Sequence, residues 1–337
     1  MAARRVGARS ITNPPVVPAT APPPDKFRHH ELRLPAEAAG LRLDQALARA
    51  LPQYSRARLQ AFIEAGAVRL GGRVPRPSER VRGGETVHIA AELEAATPLA
   101  PEAIALDVVF QDPALLVINK PAGLVVHPGA GNPRHTLQNA LLGLDASLAL
   151  VPRAGLVHRL DKDTSGLLLV ARTPEAHTAL VAALAARAIE RQYLALCNGL
   201  MTGGGTIEQP IGRHRTQRTR MAVRADGRRA VTHYRIERRL PAHTLVRVTL
   251  ETGRTHQIRV HLAHLGFPVV GDPVYGGRRR LPPGCPPHLA QRLQRFPRQA
   301  LHAAHLALVH PFSGKPLAWE APLPQDMRAL LEALAAA

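Results

Sequence analysis

The sequence predicts an α+β protein in which a small basic α/β domain precedes a larger domain that is mixed and largely antiparallel. Three observations carry that prediction. Residues 40–92 combine two short helical patterns with short strand patterns, a self-contained set. From Leu106 onward apolar runs of strand length dominate, with helical patterns between them. A chain of 337 residues that is 45% apolar also has room for more than one core.

Taken in order, residues 1–37 read as a disordered basic tail. Arg4, Arg5 and Arg9 are accompanied by no acid before Asp25, and six prolines between Pro14 and Pro24 would break the amphipathic helix of a transit peptide. Residues 38–92 follow as the small domain. Leu43, Ala46, Leu47, Ala50 and Leu51 recur at helical spacing. A second helix starts from Ser55 as N-cap, points Leu59, Phe62 and Ile63 inward and stops at Gly66. Val68-Arg69-Leu70 before Gly71-Gly72 signals a strand and turn, and Val87-His88-Ile89 another strand. Residues 93–103, rich in Ala, Glu and Pro, read as a linker, and residues 104–330 as the larger domain. There Leu115 to Ile118 is a buried strand ending at Asn119-Lys120-Pro121, and Gly166 to Ala171 another. Thr173-Pro174 opens a helix to about Arg187. Strands follow at Tyr193–Leu196, Val231–Ile236 and Leu245–Leu250, then a short helix from Gln257 to Leu265. Residues 278–298 read as an Arg/Pro-rich surface loop, and a last helix starts after Pro324.

Composition narrows the partner. The formal charge is +19 and the pI near 11.4, so the folded chain repels itself unless a polyanion is near, and RNA is the expected partner. Four of the 44 basic residues are lysines, at 26, 120, 162 and 315. Where arginine is the habit, Lys120 and Lys162 in candidate site loops suggest that a compact ammonium is wanted. Cys197 and Cys285 form no C-x-x-C pair, which fits a reducing compartment. With no membrane-length apolar run and no signal-peptide core, a cytoplasmic location is expected, without membrane association. His256, His261 and His264 lack the i, i+4 spacing of a helical zinc motif, so no metal is expected.

The chemistry concentrates in His158-Arg159-Leu160-Asp161-Lys162-Asp163-Thr164-Ser165-Gly166, a polar loop that sets a carboxylate among cations just before an apolar strand. Asp163 there reads as a turn residue, Lys162 as a phosphate contact and His158 as a brace. This loop resembles the signature of the RluA-type pseudouridine synthases. So do Asn119 to Pro128, Glu190-Arg191-Gln192-Tyr193, Glu251 to His261 and Gly271 to Gly276, in matching order. Gly40 to Leu47 (G-x-R-L-D-x-x-L) resembles the opening of an S4-type RNA-binding domain, and with Thr232-His233-Tyr234 it points within the family to members acting on large-subunit ribosomal RNA.

The resemblance implies a pseudouridine-synthase catalytic domain behind an S4-like domain. It also implies a substrate of ribosomal RNA or its precursor particles; an isomerisation demands no cofactor, and nothing in the sequence demands more than a monomer. The resemblance makes Asp161 the nucleophile, Arg254 the cation beside it with Arg259 as the alternative, and Tyr193 the platform for the target uracil. Ile258 and Val260 would wall the pocket, and Arg159 would enter the helix stack as the base leaves. Lys120 falls at the base of the pocket, as a buttress or a substrate contact. The chemistry agrees: the reaction detaches uracil from C1′, turns it and rejoins it through carbon, an isomerisation that demands a poised carboxylate and shelter from water rather than a redox group. Attack at C1′ or at C6 stays open. Two other readings stay open too: a transfer-RNA pseudouridine synthase, and a non-catalytic S4-type RNA-binding or ribosome-assembly protein.

Overall fold

A computed structural model describes residues 27–51, 56–92, 100–129, 132–217, 219–277, 281 and 284–336. The chain divides into two compact units, 1–98 and 99–337. In the first, β1 (Phe27–Arg33), α1 (Leu43–Ala50), α2 (Arg56–Glu64), β2 (Val68–Leu70) and β3 (Thr86–Glu92) form an antiparallel sheet of order β1-β3-β2 with two helices. Leu43, Leu47, Leu59 and Ile63 from the helices bury against Val68 and Ile89 of the sheet. Each is fully or almost fully withdrawn from water, which contributes roughly 1.5–3 kcal/mol per side chain.

The strand β1 corrects one expectation. The tail was expected to run to residue 37, yet residues 27–33 pair with β3 along their whole length, Phe27 opposite Glu92 and Arg33 opposite Thr86. Leu34, 1% exposed, then anchors the strand in the core. The period-two pattern was too polar here to announce a strand. Residues 1–26, the Ser55 cap and residues 93–99 of the expected linker lie outside the described residues. The end of that linker is docked rather than loose: the Asn139 side chain donates to Ala100 O at 2.9 Å, and Glu102 N–H donates to Asn139 O at 3.0 Å.

The second unit runs β4 (Val108–Gln111), β5 (Leu115–Lys120), α3 (Leu137–Leu144), β6 (Ser165–Ala171), α4 (Pro174–Ala185), β7 (Glu190–Asn198), β8 (Gly205–Glu208), β9 (Ile211–Arg213), β10 (Met221–Val223), β11 (Val231–Arg239), β12 (His243–Leu250), α5 (Gln257–His264), α6 (Pro287–Arg295), β13 (Leu301–Val309), β14 (Pro316–Glu320) and α7 (Gln325–Ala335). Its main sheet has the order β4-β5-β6-β13-β7-β12-β11-β8, with β14 also paired to β13. The β6–β13 pair is parallel and the other pairs of this sheet are antiparallel, so the α+β, largely antiparallel expectation holds. Every residue of β6 is buried, which fits the apolar run from Gly166 to Ala171.

The expected surface loop at 278–298 is corrected over its second half. Residues 287–295 form α6, and Leu289, Leu293 and Phe296 enter the main core. Leu289 and Leu293 lie one turn apart on a single face; the surrounding Arg and Pro hid that stripe.

The centre of the sheet fixes the site. Ala303 of β13 lies opposite Gly166 of β6 on one side and Tyr193 of β7 on the other. Gly166 has φ +112°, and a Cβ there would lie 2.2 Å from Ala303 O. Gly166→Ala is therefore expected to destabilise the protein by about 3 kcal/mol in chemical denaturation, through strain and collision together. A change below about 0.5 kcal/mol would mean that the two strands separate readily at this point.

Candidate active site

The loop preceding β6 is held from several sides. Lys120, 1% exposed, ends β5 with its ammonium donating to Pro121 O at 2.7 Å, Leu124 O at 3.0 Å and Lys162 O at 2.9 Å. Burial lowers its pKa to about 7, against the opposing pull of Asp163 and Asp161. Only a compact tripod of N–H donors can serve three converging carbonyls, so Lys120 braces the loop and is out of reach of a ligand. Of its two expected roles, substrate contact is thereby corrected. Arg298 donates to Asp163 O at 3.2 Å while its fork grips Asp326 of α7, at 2.7 and 2.8 Å. Gln299 donates to the Thr164 hydroxyl at 3.1 Å.

So braced, the loop presents Asp161 with its side chain 16% exposed. Arg259 Nη1 donates to Asp161 Oδ2 at 2.9 Å, and its other edge donates to Asp272, Nε at 2.7 Å and Nη2 at 2.9 Å. Asp272 is fully enclosed and also accepts the backbone N–H groups of Val274 and Tyr275. Burial alone would lower the Arg259 pKa, but the bonds and charges of Asp272 and Asp161 raise it above the ordinary arginine value. Burial likewise works to raise Asp272, and Arg259 with the two amides holds it below the usual carboxylate value.

The expectation of Arg254 as the partner of Asp161 is corrected. Its Nε donates to Arg229 O at 3.1 Å, although the residue lines the same cleft. The reversal has a local cause: His256 takes a left-handed φ of +57° at the N-cap of α5, and it is Arg259, inside that helix, that reaches Asp161. Ile258 lines the cleft, whereas Val260 joins Ile211, Ala230 and Tyr275 in a separate small cluster. Residues two apart point to opposite sides of a helix, so both cannot wall one pocket.

The cleft encloses about 900 Å³ and is lined by Arg153, Arg159, Arg187, Arg191, Arg254 and Arg259 against two carboxylates, Asp161 and Glu251. Arg159 is exposed and lines it; Lys162 is exposed and lies outside the lining. Tyr193 is 5% exposed and lines the cleft, its pKa raised by burial, with Asp161 adding to that and Arg191 opposing. His158 Nε2 accepts the Leu169 N–H at 3.0 Å, which makes it the expected brace. Burial, with the Arg191 charge, pushes its pKa down to about 3.

Sequence reasoning assigned no role to Asp272, His256 or Tyr275. Tyr275 accepts the Met221 N–H at 2.8 Å, and its hydroxyl is also hydrogen-bonded to His256 Nδ1 at 2.8 Å. The other ring nitrogen, His256 Nε2, faces Asp161 Oδ1 at 3.9 Å. A signal existed, since Asp272 and Tyr275 fall within the Gly271 to Gly276 motif and an acid in a buried motif must find a cation. His261 is occupied elsewhere, bonded to Thr232 Oγ1 at 2.8 Å and Gln209 O at 3.0 Å.

A fold that presents one carboxylate, braced by a fork-shaped cation in an arginine-lined cleft, can be set beside known proteins. The RNA pseudouridylate synthase family matches residues 114–264, and the S4 domain matches residues 41–87. The chain belongs to the RNA pseudouridylate synthase family, enzymes that form pseudouridine in RNA. It is 55% identical over 301 residues to the ribosomal large subunit pseudouridine synthase D of Xanthomonas campestris pv. campestris, covering 89% of this chain and 91% of that one. The protein of the same name from Pseudomonas aeruginosa is 54% identical over 301 residues, 89% and 94% of the two chains. Among solved structures, human RNA pseudouridylate synthase domain containing 4 superposes with a TM-score of 0.53 at 27% identity, covering 68% of this chain and 92% of that one. Among the described residues no helix is long and apolar enough to cross a membrane.

Proposed function

We propose that this enzyme converts uridines of large-subunit ribosomal RNA to pseudouridine, with Asp161 as nucleophile and Arg259 as the cation that holds it. The observation that carries the reading is the Asp161–Arg259–Asp272 chain at the base of the arginine-lined cleft. Arg259 occupies Oδ2 of Asp161 and leaves Oδ1 open to attack. The carboxylate forms a bond to the nucleotide, the C1′–N1 bond is given up, uracil turns and C5 bonds to C1′; the bond to the carboxylate breaks to return Asp161, and the hydrogen lost from C5 is balanced by one gained at N1. Tyr193 supplies the face on which the loose base rests, a contact of about 1–3 kcal/mol, and Ile258 keeps that wall dry. Its raised pKa keeps the phenol protonated near neutral pH, which suits a donor or a platform rather than a resting base. Exposed Arg159 enters the gap left by the extruded base, where its planar head can stack and hydrogen-bond. Lys162 contacts the backbone beside the cleft, and Arg254 completes its cationic wall.

The S4 domain and the charge of +19 support affinity for structured RNA, and the names of the curated relatives support the ribosomal large subunit as the source. That substrate implies work in the cytoplasm. The test is tritium release from C5-labelled uridine: a large-subunit ribosomal RNA transcript is expected to release it with the purified protein, and a transfer-RNA pool is not. Release from transfer RNA alone would overturn the choice of substrate, and release from neither would overturn catalysis.

A further inference from the structure

Arg191 lies two residues before Tyr193 on β7, so strand alternation sets both side chains on one face, roughly 7 Å apart along the strand. Both line the cleft. Arg191 is only 8% exposed, and its Nε is buried with no hydrogen-bond partner. Its neighbours in the cleft are spoken for: Arg259 serves Asp161 and Asp272, Arg187 pairs with Glu251 at 2.5 Å, and Arg254 bonds a carbonyl. Among the described residues the Arg191 guanidinium has neither a carboxylate nor a hydrogen-bonded acceptor. Gly253 leaves it room, since a Cβ at that position would lie 3.3 Å from Arg191 Nη1.

The adjoining His158 repeats the pattern. Its Nε2 accepts the Leu169 N–H, so the proton sits on Nδ1, and that atom too is buried without a partner. One wall of the cleft thus holds a cation and a second N–H donor that nothing in the protein satisfies. A buried charge left unpaired is among the costliest arrangements in a fold, and it is kept where a ligand offsets it. A uracil carbonyl would accept a hydrogen bond but leave the charge uncompensated. A phosphodiester does both, and its oxygens match the guanidinium fork. The spacing from Tyr193 is about the reach from a base to its own phosphate.

We propose that Arg191 binds the phosphodiester of the extruded uridine, with His158 Nδ1–H as the second donor, so that base and backbone of one nucleotide are gripped from one face of β7. This rests on the reading of the cleft as the site of a flipped uridine.

The experiment compares wild type, Arg191→Met and Arg191→Lys in tritium release from the C5-labelled large-subunit transcript across a salt series. Arg191→Met is expected to raise KM at least about tenfold with a smaller effect on kcat, and to flatten the slope of log KM against log salt by about 0.7, one phosphate contact. It should also raise the melting temperature of the free protein, because an unpaired buried charge has gone. Arg191→Lys keeps the slope and recovers part of KM. An unchanged slope, a loss confined to kcat, or a lower melting temperature with KM unaltered would each overturn the proposal. If wild type releases no tritium, the synthase reading itself falls. Filter binding of the same transcript over the same salt series then decides Arg191 separately.

Discussion

Asp161→Asn is expected to reduce tritium release by at least about 10⁴-fold, the scale seen when a nucleophile is removed from its site, while RNA binding persists. The amide is isosteric, and its oxygen can still accept from Arg259 Nη1, so the loop keeps its shape. What is lost is the negative charge that the proposed attack requires. Arg259 remains neutralised by Asp272, so no bare cation is left behind and the melting temperature should move little. Filter binding of the transcript checks the second half of the expectation, and tritium release the first. Turnover retained by pure mutant protein would remove Asp161 from the chemistry.

Arg259→Lys should be nearly as damaging. Arg259 spans two carboxylates with three separate N–H groups, two on Asp272 and one on Asp161. A lysine offers one compact head and must abandon at least one of the two acids, so the exchange is not conservative here. If it stays with enclosed Asp272, Asp161 loses its orientation, and a misplacement of about 1 Å costs on the order of 10²-fold in kcat. If it moves to Asp161, a buried carboxylate is left unpaired at a cost of roughly 3–5 kcal/mol. Denaturant titration and kcat together tell which occurs, and near-wild-type values of both would refute the bridging role.

Acid should act on the same chain of charges. The Asp272 carboxyl is held below its ordinary value of 3.8, so its contribution to stability is fully present above that value and disappears as pH falls through the lowered native value.

Much of this site could be read from residue order alone, for identifiable reasons. A polar loop ahead of an apolar strand announced Asp161, and the shortage of lysines singled out Lys120, which proved to be a brace. The choice between Arg254 and Arg259 was illegible because it depends on a left-handed φ at His256, a conformation that a histidine's identity does not announce. The pairing of Ile258 with Val260 failed because the resemblance supplied it without reference to the helix expected over the same residues, in which positions two apart face opposite sides. Strand β1 was missed because its sequence, Phe-Arg-His-His-Glu-Leu-Arg, has too few apolar residues for a period of two to show. Arg191 stood in a quoted motif, yet the absence of a partner is a property of space and appears in no alignment of letters.

The position of β13 has a consequence for how the enzyme comes into being. This strand divides β6 from β7 at the middle of the sheet, although more than 100 residues separate it in sequence from either neighbour. During synthesis β6 and β7 leave the ribosome long before the strand that joins them, and the clamp from Arg298 to the loop arrives equally late. A nascent chain therefore carries a finished RNA-binding front end well before it carries a working cleft, so the protein gains its hold on RNA earlier than its power to alter it.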